Sequence, residues 1–296
     1  MVYRMDAFPV EEPGSRKPHG GSPVYKEVVV PELPEVETTR RRLEPELVGK
    51  TFDCVEIRTP KLRLPVPQEL KTTLPGRTVR ALGRRGKYLL FFCDGGCLVI
   101  HLGMTGFLQL LSVATPPGKH DHLDFVFTDG HVLRFQDSRK FGTVLWVPGD
   151  PLAHPLLAGI GPEPLSDAFD GAHLYGASRS RLVAVKLFIM NAGVVAGVGN
   201  IYANEALFRA GVRPDRAARS LDRRECDRLA AAIREVLTES VETGSTYRVA
   251  EGAVGYHPME FSVYGRGGVA CRRCGTALES IRMGNRSTVF CPHCQW

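Results

Sequence analysis

The chain has 296 residues, room for two domains and a small appendage, and its 43% hydrophobic and 24% charged content is that of a globular protein. No apolar run reaches membrane-spanning length, and the first thirty residues lack the apolar centre of a secretory signal, so the eight cysteines are read as belonging to an intracellular chain without a disulfide framework. Residues 1–30 balance four bases against four acids, which places the whole net charge of +6 in residues 31–296; residues 262–296 alone carry five Arg against one Glu, the footprint of a polyanionic partner, DNA or RNA ahead of a membrane surface.

Taken in chain order, residues 1–30 contain four Pro and three Gly and no hydrophobic period, so they read as a disordered extension. A helix over 35–43 follows, with Pro34 in its first turn and Pro45 closing it. Strand patterns over 79–93 and 97–102 flank Asp94-Gly95-Gly96, and 123–128 pairs with 131–135 across Asp129-Gly130. Short strands with tight turns predict a β-sandwich over 31–150. A Pro/Gly-rich linker over 151–178 leads to helices at 181–190, at 201–210 capped by Asn200 and stopped by Gly211, and at 221–242, where Leu229, Ile233, Val236 and Leu237 share one face before Gly244. The fold class is therefore α+β, with a sandwich, a helical domain over 179–260 and a cysteine module over 261–296.

In that module Cys271-x-x-Cys274 and Cys291-x-x-Cys294 stand sixteen residues apart, the spacing of a four-cysteine zinc site. Four thiolates complete a tetrahedron and leave no open position, so one Zn²⁺ is expected in a structural role, with His293 a bystander. Cys54, Cys93, Cys97 and Cys226 are scattered and read as small packed side chains. Asn200 follows a glycine turn at a helix start; on helix grammar it is an N-cap, and such a terminus is also a ready site for a DNA phosphate.

Pro31-Glu32-Leu33-Pro34-Glu35-Val36-Glu37-Thr38, His101-Leu102-Gly103-Met104-Thr105-Gly106, Lys119-His120-Asp121-His122, Gly197-Val198-Gly199-Asn200-Ile201-Tyr202 and the Cys₄ ribbon occur in the order seen in bacterial formamidopyrimidine-DNA glycosylases. The chain resembles that family from Pro31 to Trp296. The resemblance implies a β-sandwich, a helix-two-turn-helix domain and a zinc finger around a groove for damaged double-stranded DNA, in a monomeric, cytoplasmic, nucleoid-associated bacterial enzyme with no membrane partner. It implies excision of 8-oxoguanine and formamidopyrimidines followed by β,δ-elimination at the abasic site.

Within that resemblance Pro31 is the amine nucleophile, Glu32 the acid and base at the sugar, Lys87 a second proton donor and Arg286 the finger arginine that contacts DNA and assists the later elimination. Met104, Arg139 and Phe141 match the residues that fill the space of a flipped nucleotide. His120, Lys186, Asn200 and Arg181 match phosphate ligands, and a loop near 249–258 matches the cover of the flipped base. Lys140 and Ala250 depart from the family pattern, where Arg and Ser are expected.

Two other readings stand beside this one: an endonuclease VIII-like enzyme for oxidised pyrimidines, and a non-catalytic zinc-ribbon DNA-binding protein. The second accounts for the charge and the cysteines but not for Pro31-Glu32. A proline nitrogen is nucleophilic only as a free amine, and thirty residues precede it. Val30 is encodable by GTG and Lys26-Glu27-Val28 by a ribosome-binding sequence, so synthesis is expected to begin at codon 30 and leave Pro31 as the mature terminus, with proteolytic removal of a propeptide as the alternative.

Overall fold

The computed structural model describes residues 30–112, 115–244 and 260–296. The extension over residues 1–29 and the expected lesion loop near 249–258 lie outside these. The first helix, α1 (Leu33–Leu47), starts where Glu32 adopts an extended conformation and the Glu35 carboxylate accepts the Glu32 N–H at 2.9 Å. It runs past Pro45, which was expected to end it. Proline removes a single donor there, and Leu43 and Leu47, one turn apart in the sandwich core, hold the last turn.

Eight strands follow: β1 (Phe52–Ile57), β2 (Val79–Arg85), β3 (Tyr88–Cys93), β4 (Gly96–His101), β5 (Gly106–Ser112), β6 (Asp121–Phe127), β7 (His131–Asp137) and β8 (Thr143–Pro148), with a short α2 (Leu70–Thr73) after β1. They form two antiparallel four-stranded sheets, ordered β1-β6-β7-β5 and β2-β3-β4-β8. Phe52, Phe91, Phe125, Phe127 and Phe135 fill the space between them, with Phe52 stacked on Phe127 at 4.9 Å between ring centres. The stretch 79–93 is not one strand: Gly86, at φ +56°, turns it, so Lys87 sits on a tight turn rather than along a strand.

The segment expected to be a bare linker is packed at both ends. Its first half carries α3 (Pro155–Ala158), whose Leu157 covers Leu90, Val99 and Val147 on the outer face of the second sheet. Its second half supplies Phe169 and Leu174, the latter on α4 (Gly171–Ser178), to the helical core. The helix expected over 181–190 shrinks to α5 (Val185–Ile189), because the preceding residues form a loop tied to Ala217 and Arg219. Then come α6 (Asn200–Ala210), ended by Gly211 at φ +72°, and α7 (Arg223–Glu242), which begins in a reciprocal Asp222–Glu225 capping box. Leu33 of α1 belongs to this helical core, not to the sandwich core, so α1 joins the two.

The chain ends in a hairpin, β9 (Glu279–Met283) and β10 (Arg286–Phe290), turned by Gly284 and Asn285, both at positive φ. Val263, Leu278 and Val289 pack with Phe208 of α6 into a small core of their own. Among the described residues no helix is long and apolar enough to cross a membrane.

Candidate active site and nucleic-acid interface

The N-terminus of α6 is occupied from within the molecule. Pro31 and Glu32 are buried beside it, and the Glu32 carboxylate accepts the Ile201 N–H at 2.9 Å and the Tyr202 N–H at 3.4 Å. The glycines before α6 make this possible. A Cβ on Gly199 would lie 2.2 Å from the Glu32 carboxyl carbon, and one on Gly197, itself at φ +77°, would lie 2.6 Å from the Leu33 Cβ. The helix therefore presents these amides to a carboxylate, not to a phosphate, and Gly199 rather than Asn200 is the N-cap. Asn200 is the first helical residue, and its Oδ1 is buried without a hydrogen-bond partner among the described residues.

The remainder of α6 is a hub. Tyr202 donates its hydroxyl to Glu35 at 2.6 Å and lies 2.7 Å from the Ser240 hydroxyl, tying α1 and α7 to it. Asn204 accepts the Val289 N–H at 2.9 Å, and Glu205 accepts three successive amides, Ser262, Val263 and Tyr264, at 2.8–3.0 Å. One helix thus sets the sandwich terminus and the finger in one frame.

Burial lifts the Glu32 carboxyl to about 7; the Lys87 charge pulls it down, the neighbouring Glu35 pushes it up, and the two α6 amides oppose the rise. Lys87 is held below the ordinary lysine range by burial, with Glu32 countering and Arg286 adding to the fall. Lys87 therefore feels the charge of both Glu32 and Arg286. The turn bearing Lys87 is fixed by Glu163, which accepts the Gly86 N–H at 2.7 Å and pairs with both Arg84 and Arg85. Of the five finger arginines, Arg266, Arg272 and Arg273 are tied to carbonyls, to Glu260 and to the Phe208 ring. Arg282 and Arg286, exposed on the hairpin, have no hydrogen-bond or ion-pair partner among the described residues. That difference narrows the five to Arg282 and Arg286, and the effect on Lys87 selects Arg286.

Lys186, expected at a phosphate, is placed inside the molecule. It is fully buried, and its ammonium donates to the Ser287 carbonyl at 2.9 Å and the Thr288 hydroxyl at 2.7 Å, so in this conformation it anchors β10 instead of meeting a phosphate. Burial pushes it down to about 7. Arg181 lies exposed in the loop before α5, not on a helix. Sequence reasoning passed over His101, although it opens a motif already singled out. Its Nδ1 accepts the Gly103 N–H at 2.9 Å, which leaves the proton on Nε2, and its ring lies 4.7 Å from that of Tyr88, next to Lys87. Burial, with Lys87 and Arg63 beside it, drops it to about 4, so it is neutral near pH 7. Its place at the end of a strand and before a glycine turn was the available signal.

Strand register gathers the remaining candidates at the same end of the sandwich. Tyr88 pairs with His101, His101 with Thr143, and Gly106 with Asp137. Met104 is half-buried in the β4–β5 loop, while Arg139 and Phe141 sit in the β7–β8 loop, Phe141 42% exposed and not in the core. The Arg139 guanidinium lies 4.8 Å from the centre of the Phe141 ring. Half-buried His120 accepts the Asp137 N–H through its carbonyl, and Lys140, at φ +56°, reaches the Thr59 hydroxyl.

The sulfurs of Cys271, Cys274, Cys291 and Cys294 all lie within 4.8 Å of one another. Backbone amides of Arg273 and Cys294 point at Cys271 and Cys291 Sγ at 3.4 Å, the donors that stabilise thiolates, and His293 is exposed. This donor set fits one tetrahedral, structural zinc ion.

Three regions match known families in order: residues 30–144 the formamidopyrimidine-DNA glycosylase N-terminal domain, residues 160–250 the formamidopyrimidine-DNA glycosylase H2TH domain, and residues 270–295 the zinc finger found in FPG and IleRS. The chain belongs to the formamidopyrimidine-DNA glycosylase family. A formamidopyrimidine-DNA glycosylase of Geobacter metallireducens is 69% identical over 266 residues, covering 90% of this chain and all of that protein, and one of Pelobacter propionicus is 67% identical over the same shares. Among solved structures, the Lactococcus lactis Fpg in complex with an abasic-site DNA superposes with a TM-score of 0.83 at 35% identity, covering 90% of this chain and 99% of that one. A MutM complex with DNA containing carbocyclic 8-oxo-G superposes at 0.82 with 37% identity over 90% and 99%. The glycosylase match in both the sandwich and the helical regions removes the zinc-ribbon reading, which accounted for the last thirty-five residues only.

Proposed function

We propose that this base-excision-repair DNA glycosylase for oxidised purines works through the Pro31 amine, with Glu32 and Lys87 moving protons and Arg286 acting from the finger. The observation that carries the proposal is the convergence of four segments: Pro31-Glu32 buried against α6, with Lys87 in electrostatic reach of that carboxyl and Arg286 in reach of Lys87. A free α-amino group has an ordinary pKa of about 7.7–8.0, so an unprotonated fraction exists near neutrality. Its lone pair attacks the anomeric carbon as the bond to the base breaks and the base leaves with a proton; the bound nitrogen then loses its own proton and the sugar ring opens at C1′–O4′, with Glu32 protonating O4′, so that a positively charged iminium links protein to sugar. That charge acidifies the adjacent sugar hydrogens and drives elimination of the phosphates on both sides.

Glu32, poised at about 7, exists in both protonation states at working pH, as an acid that later serves as a base requires. Lys87, with its lowered pKa, surrenders a proton more readily than a solvated lysine. Met104, Arg139 and Phe141 enter the space of the extruded nucleotide. His120, Arg181, the Asn200 side chain and the Nε2–H of His101 are the groups for phosphates, while Lys186 holds the finger. The bacterial relatives support a cytoplasmic location, and association with the nucleoid during repair is part of the proposal.

Borohydride trapping tests the reading. A chain beginning at Pro31 is expected to form a reduced covalent adduct with an 8-oxoguanine duplex, and a chain retaining residues 1–30 is not. No adduct from the former would overturn the proposal, and a preference for thymine glycol over 8-oxoguanine would move the enzyme to the endonuclease VIII-like branch.

A further inference from the structure

The side chains assigned to the vacated base position come from two loops, and a single buried carboxylate joins them. Asp137, at the end of β7, is 0% exposed. Its Oδ1 accepts the Thr105 hydroxyl at 2.5 Å and the Arg139 N–H at 3.2 Å, and its Oδ2 accepts the Gly142 N–H at 2.7 Å. The Thr105 hydroxyl also accepts the Arg139 N–H, at 3.1 Å, linking the loops directly. Gly103 brings them into backbone contact: at φ +70°, a Cβ there would lie 2.4 Å from the Phe141 carbonyl carbon.

These hydrogen-bond donors are all neutral. A carboxylate buried among neutral donors is an expensive way to hold a fold together. Each of these bonds ends on the loop that bears Met104 or the loop that bears Arg139 and Phe141.

We propose that Asp137 is the positioning residue of the DNA wedge: it binds the 102–105 and 138–142 loops into one preformed unit, so that Met104, Arg139 and Phe141 enter the duplex already oriented. The inference rests on the void-filling reading above. Its physical content is that loop and side-chain ordering, which otherwise opposes binding, is completed before DNA arrives. The family resemblance makes Arg139 the arginine that faces the orphaned cytosine, so its orientation also sets the preference for the base opposite the lesion.

Asp137→Asn places an amide N–H against one of the loop N–H donors and must release it; Thr105→Val cuts the other loop free while leaving the carboxylate, and decides the matter should the first variant fail to fold. Both are expected to slow single-turnover excision from 8-oxoguanine paired with cytosine by about tenfold and to shrink the preference for cytosine over adenine by about fivefold. Trapping on a single-stranded abasic oligonucleotide, which offers no space to fill, should stay within about twofold of the parent. Equal losses on both substrates, or an unchanged opposite-base preference, would overturn the inference. Met104→Ala, Arg139→Ala and Phe141→Ala separate it from its premise. If they too leave duplex excision unchanged, the void-filling reading fails; if they impair it while Asp137→Asn and Thr105→Val do not, only the positioning role fails.

Discussion

At the scale of single residues, Glu32 shows how one carboxyl is set by competing surroundings. Removal from water favours the neutral acid, while Lys87 and two helix amides favour the anion, and the balance falls at about 7. Between pH 4.5 and 7 the folded protein keeps a proton that the unfolded chain releases, so stability falls as pH rises through that window and levels off above it. Glu32→Gln cannot ionise. The difference in unfolding free energy between parent and variant should therefore change by on the order of 3 kcal/mol from pH 4.5 to pH 8 in urea titrations, against the parent at high pH. Identical pH dependence in the two proteins would show that Glu32 does not ionise in this range. The same variant should form no elimination product above background.

At the scale of elements, α6 explains why the Gly197-to-Glu205 motif is so dense. Five of its positions receive a neighbour or grip one: Gly197 and Gly199 make room for Leu33 and Glu32, Tyr202 reaches α1, and Asn204 and Glu205 hold the finger. Gly199→Ala must push the Glu32 carboxylate off the helix end, and a displacement of about 1 Å at the reacting centre costs about a hundredfold in rate. Single-turnover trapping with Gly199→Ala should show a loss of that size together with a lowered melting temperature. Gly176→Ala on α4, where the added carbon meets open space, is the control; it should trap normally and gain about 1 kcal/mol of helix stability.

At the scale of the whole molecule, the sandwich and helical cores stand without the metal, whereas the finger's core among the described residues is small: Val263, Leu278 and Val289 with Cys271, Cys291 and Cys294, packed against Phe208. So small a core depends on zinc for its folding. Chelation should unfold residues 261–296, withdraw Arg286 from the Glu32–Lys87 neighbourhood and weaken binding to abasic DNA by about a hundredfold or more, while most helical circular dichroism persists. Unchanged DNA affinity after stoichiometric loss of zinc would exclude the finger from the interface.

Much was legible in the chain itself, because local physics wrote it. The Asp129-Gly130 turn, the helical face of Leu229, Ile233, Val236 and Leu237, and the CxxC pairs depend on backbone preference, periodicity and ligand spacing, all properties of near neighbours. The motif order carried the family and with it the candidate residues. What the chain could not show is which groups each residue would face. Lys186 changed from a phosphate ligand to an anchor of β10, and the α6 amides from an anion site to the seat of Glu32. His101 became a neutral donor beside Lys87, and Asp137 the joint between two loops. Burial, charge proximity and hydrogen-bond partners come from segments tens to hundreds of residues away, and only the packing of the sandwich, helices and finger brings them together.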